Sequence, residues 1–270
     1  RPHRRSRRVR VARWQVDPSG PPVIVHEVAA AEEMDWVELK NVSDECIDLT
    51  GYRLTDDPDA SRFILVPNGT MLEPGALTTI SLGDGFGLSK GGDELYLFDT
   101  HDEVIDSVRF GQQLTGHSLS RTSANPNLWA LGILTPGESN QRVTQSLGVR
   151  TRINEWYANS GTAVNEDFVE LINREPWPVA LSGFQLISTS DEVAMDPLHF
   201  LAAQDLEERR DIRLNASFGS LELQDTQGEV LDRVIWQAQS DLASQGRVPD
   251  GSNAWQILTP PSPGLSLIHI

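Results

Sequence analysis

The sequence predicts an all-β protein of two tandem immunoglobulin-like β-sandwiches, and three observations predict it. Short runs rich in Val, Ile, Leu and aromatics alternate in character, as in "WVEL" (Trp36 to Leu39), "ELYLF" (Glu94 to Phe98) and "VIDSVRF" (Val104 to Phe110). That is the period of strands with one buried face. Between them stand "PNGT", "EPGA", "GDG" and "KGGD", turn residues that tolerate positive φ or preset a bend. The third observation is that the chain repeats itself.

"VIVHEV" (Val23 to Val28) parallels "TRINEW" (Thr151 to Trp156), "WVELKN" parallels "FVELIN" (Phe168 to Asn173), and "IDLTGYRL" parallels "VALSGFQL". Further on, "DELYLFDTHDEVIDSVRF" (Asp93 to Phe110) matches "GSLELQDTQGEVLDRVIW" (Gly219 to Trp236). "SLSR" faces "SQGR", Trp129 faces Trp255, and each copy closes on a Pro-Gly, in "TPGESN" and "PSPG". The offset is 132 from Trp36 to Phe168 and 126 from Asp93 to Gly219, so the second copy is shorter in between. Self-similarity of this kind sets the domain plan. A basic leader occupies 1–22, sandwich one 23–140, a linker 141–150, sandwich two 151–266 and a tail 267–270. About seven short strands per copy suits an antiparallel sandwich. In the middle of the second copy, "DPLHFLAAQDLEERR" (Asp196 to Arg210) replaces "PNGTMLEPGA" and predicts a strand–loop with a helical turn behind its Asp-Pro.

At 270 residues, with 39% hydrophobic content, the chain can bury two ordinary cores. No run approaches the ~20 apolar residues of a membrane-spanning helix. One cysteine, Cys46, excludes an intrachain disulfide and a cysteine-built zinc site. The net charge of -17 hides an asymmetry, because residues 1–13 hold seven Arg and no acid. The remainder sets 15 basic against 39 acidic residues. Such a surface repels nucleic acid, leaving only the arginine-rich leader to bind it, and the leader reads as a solvated linker. No apolar region follows those arginines, so they do not open a signal peptide. The chain starts without Met and stops on "SLIHI", which leads us to expect a piece of a longer polypeptide.

The separated motifs "HE…DWVELKN…DLTGYRL…P.GT.L.PG…FGLS..GDEL.L.D…VIDSV.F…S..R…W…TPG..N" resemble the lamin tail domain. The second copy resembles it at both ends and lacks the "P.GT.L.PG" and "FGLS..GD" stretches. The resemblance implies an immunoglobulin-like sandwich. Nuclear lamins carry this domain behind a coiled-coil rod, and no sustained heptads occur here. The resemblance is therefore to bacterial and archaeal versions, often tandem, in large secreted or envelope-associated proteins. It implies a non-catalytic role in binding or tethering a protein or cell-surface partner, in an extracellular or envelope setting. A glycan-binding adhesin module is the alternative, and a metal-assisted hydrolase a more distant one.

The candidate sites divide along the same lines. Glu27, Glu38 and Arg121 recur as Glu155, Glu170 and Arg247. Paired acids can serve an enzyme when their pKa values separate. An Arg kept with the acids favours structural ion pairs instead, with Arg121 on Glu38 or Glu27 and Arg247 on Glu170 or Glu155. "GDGFGLSKGGD" lacks the order of a phosphate loop and a following helix. Asp56, Asp57 and Asp59 make a weak calcium candidate without EF-hand spacing. The six His show no zinc-hydrolase spacing, and no cofactor is expected. Cys46 reads as a packed thiol. Asn41, Asn68 and Asn215 open sequons usable only in a eukaryotic secretory setting. Trp36, Tyr52, Phe63 and Trp129 are matched to Phe168, Phe184, Phe200 and Trp255, and most of them read as core. Trp156, Tyr157 and Trp177 have no aromatic match and are the candidates for a contact surface, with packing in the core as the leading reading for them too.

Overall fold

The computed structural model describes residues 21–59, 62–83, 86–158, 166–238 and 242–267. The arginine-rich leader and the last three residues lie outside the described residues. Every regular element among the described residues is a strand, so the all-β expectation holds.

Unit one runs through β1 (Val23–Ala29), β2 (Trp36–Asn41), β3 (Ile47–Asp48), β4 (Arg53–Thr55), β5 (Ile64–Leu65), β6 (Met71–Leu72), β7 (Leu77–Ser81), β8 (Asp93–Phe98), β9 (Val104–Phe110), β10 (His117–Arg121) and β11 (Trp129–Ile133). Its sheets are β11-β10-β1-β2-β7, β5-β4-β8-β9 and the small β3-β6. Unit two runs through β12 (Thr151–Tyr157), β13 (Phe168–Asn173), β14 (Val179–Ala180), β15 (Gln185–Ser188), β16 (Glu192–Ala194), β17 (Phe200–Leu201), β18 (Leu206–Arg209), β19 (Phe218–Gln224), β20 (Val230–Gln237), β21 (Ser244–Arg247) and β22 (Trp255–Leu258). Its sheets are β22-β21-β12-β13-β18, β16-β15-β19-β20 and β14-β17. Each strand of unit one thus has its counterpart eleven strands later, in the same neighbourhood.

The inner faces form one core per unit. Val25, Leu39, Leu54, Leu95 and Leu119 pack together in unit one, and Ile153, Leu171, Leu186, Leu221 and Trp236 in unit two. Burial of such side chains stabilises by about 1.5–3 kcal/mol each. The first strand of each unit is irregular in the same way. Pairing of β1 with β2 shifts between Val25 and Glu27, and pairing of β12 with β13 shifts between Ile153 and Glu155. A bulge inserts one residue and moves the alternation by one. Val25 and Val28 therefore both face the core although they are three apart.

The same shift decides between core and contact surface for two of the unmatched aromatics. Trp156 stands where unit one has Val28, faces inward, and lies with its ring centroid 4.2 Å from that of Trp236. Tyr157 is equally buried and stacks on Phe168 with centroids 5.9 Å apart. Neither can be a contact surface; only Trp177 of that trio is exposed.

The middle of unit two brings a correction. No helical turn follows Asp196-Pro197; instead β17 pairs with β14 as β6 pairs with β3. β18 likewise pairs with β13 as β7 pairs with β2. The hairpin is retained, at an offset of 129 from Met71 to Phe200, without its signature residues. Gly69 (φ 78) and Gly75 (φ 75) are replaced by Leu198 (φ 51) and Gln204 (φ 58). Left-handed backbone is uncommon outside glycine, which is why the turn left no mark in the sequence. The pairing of Phe63 with Phe200 fails for the same reason: Phe200 answers to Met71, and Phe63 is exposed.

The two units meet along a seam. Gly111 N–H donates to Pro197 O at 2.8 Å and Phe200 N–H to Gln112 O at 2.9 Å. Gln113 Nε2 donates to Leu198 O at 2.8 Å, and Arg109 Nη2 to Asp196 Oδ1 at 2.9 Å. Phe200 is buried against the core of unit one. Gly111 lies so close to His199 that a Cβ there would stand 2.6 Å from the ring. Residues between the units join both: Val143 N–H donates to Leu131 O at 2.9 Å, and Ser146 N–H to Pro178 O at 2.8 Å.

Candidate functional site

The repeated carboxylates lie on the outer face of each five-stranded sheet, and all four are fully buried. Glu27 and Glu38 are cross-strand partners, as are Glu155 and Glu170. What buries them is the segment after the last strand, the Pro-Gly stretch that closes each copy. Thr135 N–H and Oγ1–H donate to Glu27 at 3.0 and 2.8 Å, and Gly137 N–H donates to Glu38 at 2.5 Å. In unit two, Ser262 N–H and Oγ–H donate to Glu155 at 2.9 and 2.8 Å, and Gly264 N–H donates to Glu170 at 2.7 Å. Ser118 and Ser244 complete the donors to Glu27 and Glu155. Buried acceptors of this kind need donors, because an unpaired one costs several kcal/mol. Each pair of acids fastens a strap across the sheet.

The remaining oxygens show the same job done by two residue types. His26 Nδ1 lies 3.0 Å from Glu38 Oε1, and Asn154 Nδ2 donates to Glu170 Oε1 at 2.7 Å. The imidazole and the amide hold equivalent places. Asn154 also accepts from Gly251 N–H at 2.7 Å, locking its orientation. Burial pushes Glu170 up to about 7; the bonds from Asn154 and Gly264 pull the other way, and the nearby Glu155 and Asp250 add to the rise. Burial also raises Glu27, against the bonds from Ser118 and Thr135.

The arginines do not pair with these acids, which corrects the expected ion pairs. Arg121 Nη2 donates to both oxygens of Asp106 at 2.8 and 2.7 Å, and Arg247 Nη2 to both oxygens of Asp232 at 2.9 Å. Arg121 shares the inward parity of Leu119, whereas the glutamates face outward, so alternation separates them. Each arginine reaches the opposite sheet through the bulge. Arg121 Nε donates to Val25 O at 2.6 Å while Val25 N–H donates to Asp106 at 2.7 Å. Arg247 and Asp232 treat Ile153 identically, at 2.7 and 2.9 Å. The ion pair thereby satisfies backbone groups of the residue just before the bulge, Val25 in one unit and Ile153 in the other. Trp129 and Trp255 cover the two guanidinium groups at 4.6 and 4.4 Å.

The role of Asp106 and Asp232 as arginine partners was not read from the sequence, yet a signal was present. Both stand mid-strand in "VIDSVRF" and "VLDRVIW", at matching places in the two copies. The structural role of Asn41 and Asn173 went unread likewise. Each is fully buried, with Nδ2 donating to backbone carbonyls, Leu72 O at 2.7 Å and Ala202 O at 2.8 Å. Asn41 is thus unusable as a glycan acceptor in the folded chain.

The other candidates are not brought together. Asp57 Oδ1 accepts Asp59 N–H at 2.9 Å and Asp56 faces Arg62 at 3.6 Å, an arrangement of turn caps. Among the described residues, no three His, Cys, Asp or Glu side chains gather as a metal site. Cys46 is exposed, contrary to the packed thiol expected, because Ile47 takes the inward place at the start of β3. Among the described residues, the exposed aromatics Phe63, Trp177 and Phe218 lie just before β5, just before β14 and at the start of β19, on different parts of the fold. A cleft of 270 Å³ opens beside His26, Lys40 and Ser139 in unit one. At the corresponding place unit two carries Arg174, whose Nη1 donates to Gly251 O at 2.6 Å.

The lamin tail domain family model matches residues 16–112, which reaches the end of β9 and stops short of Arg121 and the first strap. No curated protein matches the chain. Among solved structures, the chain is similar to the exo-β-D-glucosaminidase CsxA, described with a glucosamine-configured castanospermine and an amino-australine analogue as inhibitors. The identity is 13%, the TM-score 0.22, and the match covers 78% of this chain and 26% of the enzyme. This chain thus spans about a quarter of the enzyme's length, and a likeness at that TM-score carries no argument.

Proposed function

We propose that the chain is a tandem of two lamin-tail-like sandwiches, 23–140 and 151–266, serving as a non-catalytic module that binds or tethers. We place it in a larger secreted or envelope-associated protein, with a protein or cell-surface component as partner. One observation carries the reading. The four repeated glutamates, the best candidates for acid–base chemistry, spend their oxygens on the straps that close each sheet. A general base must instead reach a proton on substrate. The family match over 16–112 supports the assignment of unit one. The identical strand order and strap bonding support extending it to unit two. Fold alone does not license a function, so the test is cellular. Deleting 23–266 from the full-length protein is expected to release the remainder from the envelope or secreted fraction. Unchanged partitioning would sink the tethering role.

A further inference from the structure

The seam between the units is head-to-tail, so each unit keeps one half of it unused. Unit one contributes the end of β9, with Arg109, Gly111 and Gln112; unit two contributes the turn from Asp196 to Phe200. Strand equivalence carries the first surface onto Ile235 to Ala238 in unit two and the second onto Pro67 to Met71 in unit one. We propose that these two unused halves bind each other between copies of this chain, giving an open-ended assembly. A heterologous contact that does not close generates chains of subunits rather than a closed dimer.

The exchanged residues fit position by position. The Arg109–Asp196 ion pair becomes Ile235 against Pro67, two exposed apolar side chains in place of two charges. Gly111, which makes room for His199, becomes Gln237, and His199 becomes Thr70, so bulk moves from the turn to the strand. Phe200, buried in the existing seam, becomes Met71, which is 56% exposed. Gly69 keeps the positive φ that Leu198 adopts, so the turn presents a similar backbone. Phe218 stands at the place of Gly92, beside the existing seam, and is 60% exposed next to Ile235 at 75%. Apolar side chains clustered in this way mark an interaction surface, and methionine adapts well to one. The inference is independent of the tethering role, since it concerns only how copies meet.

The test is sedimentation of the full chain from about 10 μM to about 1 mM, the range of weak association. The mass is expected to rise above 29.9 kDa without levelling at two chains. Ile235→Glu and Met71→Glu should each weaken association by about tenfold or more, the loss of a central apolar anchor. Each variant blocks a different half, so an equimolar mixture should form pairs of one chain of each and stop there. Circular dichroism and the milder Ile235→Ser and Met71→Ser guard against misfolding. A wild-type chain that stays monomeric, a plateau at the dimer, or a mixture that forms no pairs would each overturn the proposal.

Discussion

Arg121 and Asp106 stand on opposite sheets, and one guanidinium nitrogen holds both carboxylate oxygens at 2.8 and 2.7 Å. Both side chains are nearly sealed from water. Removing one partner leaves a buried charge alone, which costs about 3–5 kcal/mol. Arg121→Met is therefore expected to lower unfolding stability in urea by that order. Asp106→Asn should cost a similar amount. The double substitution should cost less than the sum, because the orphaned charge is gone. Strict additivity would show that the pair is not coupled.

Glu170 supplies a prediction in pH. Its folded pKa, about 7, lies above the ordinary 4.5, so the folded state favours the protonated acid. The associated stability is complete below about pH 4.5 and is lost as pH rises through about 7, roughly 3 kcal/mol in all. Urea midpoints measured across that window should fall with pH for the wild type more steeply than for Glu170→Gln. Equal slopes would remove Glu170 as the source.

The seam predicts cooperativity. Gly111→Ala places a methyl 2.6 Å from the His199 ring, which forces the two units apart at one point. Overpacking of this kind costs about 1–3 kcal/mol. Calorimetry should show one transition for the wild type resolving into two for the variant. A single unshifted transition would mean that the seam gives way freely.

The tryptophans should separate cleanly. Trp156 is buried against Trp236, and its replacement by Ala should cost about 3–5 kcal/mol. Trp177 is 52% exposed, and Trp177→Ala should stay within about 0.5 kcal/mol, as surface changes do. Comparable losses at both would contradict the assigned faces.

Legibility followed distance along the chain. The strands, their punctuation and the duplication were readable because each depends on neighbours in sequence. The repeated acids were readable as structural, since Glu27 and Glu38 have twins in Glu155 and Glu170. Their partners were not, because Thr135 and Gly137 lie about a hundred residues away and meet the acids only across the sheet.

By itself, then, the sequence determined an all-β chain built twice, with buried carboxylates repeated at matching places. Tertiary structure alone decided which face each residue took. One bulge after Val25 and one after Ile153 reversed the alternation, sending Trp156 inward. Just before those bulges, Arg121 with Asp106, and Arg247 with Asp232, satisfy backbone groups of Val25 and Ile153. Leu198 and Gln204 adopt left-handed backbone because hairpin pairing on either side requires it, a demand that their identities do not announce. Local preference sets the strands; which groups remain unpaired depends on the whole sandwich, and that need chose the partners.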